Sequence, residues 1–84
     1  MIETREQVVG GFRDTARDFL DSPNLMTGLA LDDATVTLKR YALSELRDQP
    51  LASTLARFPK LIRALDVDAL RALVDEVEAR LEAG

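Results

Sequence analysis

The 84-residue chain contains no cysteine, no histidine and no tryptophan. Without Cys there can be no disulfide framework, thiolate zinc site or thiol redox chemistry. Without His the commonest general base and metal ligand is also gone. Glycine is sparse, with four residues: Gly10-Gly11 falls inside a helical pattern and Gly28 stands alone, so no Gly-rich loop is available to cradle a phosphate. Ser22, Ser44 and Ser53 have no imidazole to activate them and sit in no Gly-x-Ser-x-Gly turn, and neither Lys39 nor Lys60 belongs to a Ser-x-x-Lys arrangement. These absences argue against catalysis, and no cofactor, metal or small-molecule substrate is expected.

Long apolar runs are missing too. The longest nearly apolar stretch, Leu25 to Leu31, is far too short to span a bilayer, and Met1-Ile2-Glu3-Thr4-Arg5-Glu6 has no cationic leader preceding an apolar segment. The expectation is a cytoplasmic protein without a membrane role. A chain of this size buries only about 60% of the surface its unfolded state exposes. With no disulfide or zinc to add stability, association with a partner or with itself is expected.

Apolar residues make up 46% of the chain, and leucine and alanine dominate them. Nine Arg stand against two Lys, a composition common in GC-rich bacteria. No segment alternates apolar and polar residues for long, so the fold class is all-α. The expected form is one domain over residues 1–84, a small bundle of four to six helices, several of them short and joined by Pro-containing turns.

The first helix should start at Thr4, where Thr4 and Gln7 are spaced as a capping box. It should bury Val8, Val9, Phe12, Ala16, Phe19 and Leu20. Gly10-Gly11 implies either a kink or a neighbour packed too closely for a Cβ. Ser22-Pro23 reads as the end of this helix and the start of the next, with Ser22 as N-cap and Pro23 in the first turn. The uncharged segment Ser22–Leu31 is expected to hold one or two helical turns ending near Gly28 to Leu31. It reads as a connector buried across the core or, alternatively, as an exposed apolar patch that receives a partner.

Asp32-Asp33 reads as the next N-cap, with helix from Ala34 to Arg47. Leu31, Ala34, Leu38, Tyr41, Ala42 and Leu46 line one side, whereas Val36 and Leu43 lie opposite. Such a two-faced helix is either central in a bundle or covered by another chain. Gln49-Pro50 and Phe58-Pro59 are breaks, giving short helices at Leu51–Arg57 and Pro59–Leu65. The apolar faces of Phe58-Leu61-Ile62-Leu65 and Leu70-Leu73-Val74-Val77-Leu81 are out of phase, which places a further break at Asp66-Val67-Asp68. Glu76 and Arg80 are spaced for an i, i+4 ion pair.

Charge is unevenly placed. Residues 1–38 carry three Arg against seven acids, residues 39–63 carry six bases against two acids, and residues 64–84 carry two Arg against six acids, so segments of −4, +4 and −4 make up the net −4. The basic centre could be a solvated surface, could face the acidic arms within one molecule or across a dimer, or could contact nucleic acid. The carboxylates Asp14 with Asp18, and Asp75 with Glu78 or Glu82, share helix faces, but they alternate with Arg on faces expected to be wet.

The expected function is therefore a non-catalytic protein–protein interaction module, a regulatory or accessory subunit forming homo-oligomers. Leu25, Met26, Leu29, Val36 and Leu43 are its candidate contacts with another protein or a second copy. The alternative is a DNA-binding regulator that uses Lys39, Arg40, Arg57, Lys60 and Arg63 on phosphates.

Overall fold

A computed structural model describes residues 4–83; Met1-Ile2-Glu3, which enter the leader expectation, lie outside the described residues. The fold is an all-α small bundle: α1 (Arg5–Asp21), α2 (Leu25–Tyr41), a π-helical turn (Ala42–Leu46), α3 (Gln49–Leu55), α4 (Phe58–Arg63) and α5 (Val67–Ala83).

Helix α1 opens with the expected capping box. Thr4 Oγ1 accepts from the Gln7 amide at 3.2 Å, and Gln7 Oε1 accepts from the Thr4 amide at 3.0 Å. Its stripe of Val8, Val9, Phe12, Ala16 and Phe19 is buried, with Leu20 packed at the margin. The helix runs through Gly10-Gly11 without interruption, and a Cβ built at either position meets nothing within 4 Å. The helix is therefore unbroken there and the expected close neighbour is absent.

The largest departure from the sequence reading is α2. Its N-cap is Asn24, not Ser22: Asn24 Oδ1 accepts from the Thr27 amide at 3.0 Å, and Thr27 Oγ1 accepts from the Asn24 amide at 3.1 Å. Ser22 instead closes α1, donating its amide to the Asp18 carbonyl, and its own carbonyl accepts from the Thr27 hydroxyl at 2.8 Å. The helix then continues for 17 residues. Gly28 does not stop it. A Cβ there would stand 3.1 Å from Ile62 Cγ2 and 3.4 Å from Phe19 Cε2, so its bare Cα is a packing surface rather than a terminator. Asp32 and Asp33 are consequently interior helical residues and cap nothing.

Helix α2 packs one side against α1, α3 and α4. Leu31, Leu38 and Ala42 are fully buried on its inner side, joined by Thr35, whose hydroxyl donates to the Leu31 carbonyl at 2.7 Å. The π-helical turn widens the end of this helix. Arg47 then adopts a left-handed conformation (φ 51°) and reverses the chain.

Asp48 caps α3 by accepting from the Leu51 amide. The two short helices each begin earlier than the Pro positions implied, because Pro50 and Pro59 sit within the first turns, where no amide donor is required. Phe58 meets Phe12 edge-to-face, with ring centroids 5.6 Å apart, which ties α4 to α1. Leu65 is left-handed (φ 53°) and ends α4, and Asp66 Oδ1 accepts from the Ala69 amide to start α5 at the expected break. Arg80 does not pair with Glu76. Its guanidinium grips Asp48 through three hydrogen bonds of 2.9–3.2 Å, which locks α5 to the start of α3. That bond holds the Asp48 carboxyl below its ordinary value of 3.8. Arg5 Nη2 adds a 2.7 Å bond to the Leu81 carbonyl, and Arg13 approaches Glu78 at 3.5 Å.

Candidate interaction face

Building Leu25–Tyr41 as one continuous helix decides which apolar residues face water. At 3.6 residues per turn, Leu25, Leu29 and Val36 fall within about 40° of one another, and Leu43 follows in the π-helical turn. That arc points away from the buried set of Gly28, Leu31, Thr35 and Leu38. The exposures follow: Leu25 is 76% exposed, Met26 80%, Leu29 61%, and Val36 and Leu43 44% each. The buried-connector reading of Ser22–Leu31 is overturned, since only Gly28 and Leu31 in that segment are buried. All five candidate contact residues lie on the solvent side of α2 and its π-helical extension.

Beside the N-terminal half of this face lies a groove of about 220 Å³, floored by Gly28 and Ile62 and walled by Leu25, Leu29, Pro59 and Leu65. Sequence reading missed it because Leu65 completes an i, i+3, i+4, i+7 pattern and looks like core. Phe58 and Ile62 are indeed buried, but the left-handed turn puts Leu65 at 50% exposure. A bulky residue at positive φ is uncommon, and Gly would serve the turn without strain. Here the turn holds an exposed leucine at the groove wall.

Two charged residues reach this groove, Asp32 from α2 and Arg63 from α4. Asp32 Oδ1 is buried and has no hydrogen-bond partner, an arrangement that is costly inside a protein. No ion pair joins it to Arg63 among the described residues.

The basic residues come from two elements, α2 and α4 with its cap. Lys39 and Arg40 occupy the last turn of α2, Arg57 precedes α4, and Lys60 and Arg63 end it. Helix α4 has six residues, roughly 9 Å of axis, which is short for a helix meant to lie in a major groove. Among the described residues no basic side chain of the centre is ion-paired to the acidic arms. The ion pairs there are Arg13 with Glu78, Arg17 with Asp14 and Arg80 with Asp48, and none uses Lys39, Arg40, Arg47, Arg57, Lys60 or Arg63.

Those same pairs take up two of the candidate carboxylates. Asp14 is bonded to Arg17 at 2.8 Å and Glu78 lies against Arg13, and among the described residues no cluster of three or more ligating side chains could hold a metal ion. A wider cavity of about 520 Å³ between α1 and α5 is bordered by Arg13, Arg17, Arg71, Asp75 and Glu78, a mixed-charge surface. No helix among the described residues is long and apolar enough to cross a membrane. No family model, curated protein or solved structure matches this chain.

Proposed function

We propose that this protein is a small non-catalytic interaction module, a regulatory or accessory subunit of the cytoplasm, that associates with itself through the solvent face of α2. The observation that carries this reading is the exposure of Leu25, Met26, Leu29, Val36 and Leu43 on one helix whose opposite side is fully buried. An apolar surface grouped in this way, rather than scattered, is characteristic of binding sites. The strained Leu65 beside it supports the same reading, because strain retained at an exposed apolar residue points to a functional constraint. Lack of Cys accords with a cytoplasmic setting.

A dilution series followed by amide NMR tests the proposal. Concentration-dependent shifts should cluster at Leu25, Leu29, Val36 and Leu43 and be absent from the outer faces of α1 and α5. Adding duplex DNA at low salt should leave Arg57, Lys60 and Arg63 unmoved. Spectra independent of concentration, or salt-sensitive DNA shifts at those three basic residues, would overturn it.

A further inference from the structure

Charge along α2 is divided about Val36. Asp32 and Asp33 lie on the N-terminal side of Val36, and Lys39 and Arg40 on the C-terminal side. None of the four makes an ion pair among the described residues. Leu29 and Leu43 stand seven residues before and after Val36, so these three apolar residues are symmetric about the same point, and Leu25 lies beyond the symmetric part.

We infer that α2 pairs antiparallel with α2 of a second copy of this chain, about a two-fold axis passing beside Val36. This inference rests on the self-association proposed above and specifies its geometry. Reversal about Val36 sets Leu29 against Leu43 of the second copy, and Val36 against itself. At 3.6 residues per turn Asp32 and Lys39 occupy one flank of the stripe, and Asp33 and Arg40 the other. The two-fold axis keeps each flank on its own side, so Asp32 meets Lys39 of the second copy and Asp33 meets its Arg40. Each pair occurs twice, as an isologous interface requires. A parallel arrangement would place Asp32 and Asp33 against their own copies, like charges facing one another across an apolar seam.

The second copy's Leu43 arrives opposite Leu29, at the mouth of the groove. A 17-residue helix presents a strip about 25 Å long and roughly 10 Å wide. That is well below the roughly 800 Å² per partner of a standard interface, so the dimer is expected to be weak and dependent on concentration.

The absence of native cysteine permits a clean crosslinking test on the full chain. Val36→Cys should form a disulfide-linked dimer under mild oxidation. Leu29→Cys and Leu43→Cys should each remain monomeric when oxidised alone and crosslink when mixed, because the antiparallel register separates like positions by roughly 20 Å. Sedimentation of the unoxidised proteins supplies the control. Self-crosslinking of Leu29→Cys and Leu43→Cys by proteins that sediment as dimers would overturn the register and leave self-association standing. No dimer in sedimentation and no crosslink with any variant would overturn both. An Asp32→Lys, Asp33→Lys variant should lose dimerisation, and adding Lys39→Glu and Arg40→Glu to it should restore dimerisation. Failure of that restoration would contradict the charge pairing.

Discussion

Replacing Gly10 and Gly11 by alanine should make this protein more stable, although both lie inside α1 where the buried stripe is formed. Glycine in a helix interior costs about 0.8–1.0 kcal/mol relative to alanine, because it gives up more backbone freedom on folding. The opposing term would be a clash of the new methyl. It vanishes at these two positions, since a Cβ at either meets nothing within 4 Å. The double variant should therefore gain about 1.5–2 kcal/mol. In a domain of this size 1 kcal/mol moves Tm by roughly 4–8 °C, so a rise of roughly 10 °C is expected. Gly28→Ala provides the internal contrast. The same propensity gain is offset there by a methyl placed 3.1 Å from Ile62 Cγ2 and 3.4 Å from Phe19 Cε2, and overpacking of that kind costs about 1–3 kcal/mol. It should yield no net stabilisation. Thermal and urea unfolding followed by far-ultraviolet circular dichroism would establish the order of the three variants. Loss of stability in Gly10→Ala or Gly11→Ala would refute the reasoning, because it would mean that α1 needs a bare backbone there for a bend or an approaching partner.

Three further outcomes follow from the local chemistry. The Arg80 bond lowers the Asp48 carboxyl from 3.8, so its contribution to stability is present above that value and is lost as the pH falls through the lower folded-state value. Acid titration of stability should thus show a loss at and below about pH 4 that shrinks in Arg80→Gln, and an unchanged acid limb in that variant would count against the bridge. Asn24→Ala removes the α2 N-cap and should cost about 1 kcal/mol in urea unfolding, whereas Ser22→Ala, outside the cap pair, should cost less; the reverse order would restore Ser22 as the helix start. Leu65→Gly relieves a left-handed leucine and should be neutral or stabilising by up to about 1 kcal/mol, while weakening self-association; a large loss of stability would show that Leu65 belongs to the core.

What the sequence made legible was local. The Thr4–Gln7 box, the buried stripe of α1, the break at Asp66 and the two-sided apolar pattern of Leu31 to Leu46 all depend on neighbours within two helical turns. The start of α2 was not legible, because Ser22 and Asn24 are both competent caps and the choice falls to Thr27, which bonds both residues. Gly28 looked like a stop because the side chains that require it, Phe19 and Ile62, come from other helices. With a helix ending there, Asp32-Asp33 reads as a cap and the exposed stripe from Leu25 to Leu43 falls into two elements. Arg80 was matched to Glu76 four residues away when its partner, Asp48, lies 32 residues away in the chain. In each of these cases the deciding contact is tertiary. The candidate residues Leu25, Met26, Leu29, Val36 and Leu43 were identifiable singly, but their alignment on one face emerges only from the unbroken helix.

Sedimentation velocity over a wide range of concentrations, comparing the parent chain with a Leu29→Glu, Leu43→Glu variant, bears most directly on the role of α2. Both side chains are exposed, so the variant should unfold at the same temperature as the parent. The parent should shift from monomer towards dimer as its concentration rises, and the variant should stay monomeric throughout. A parent that remains a monomer at the highest concentration, or a variant that dimerises as well as the parent, would contradict the assignment of the α2 face as the interaction surface.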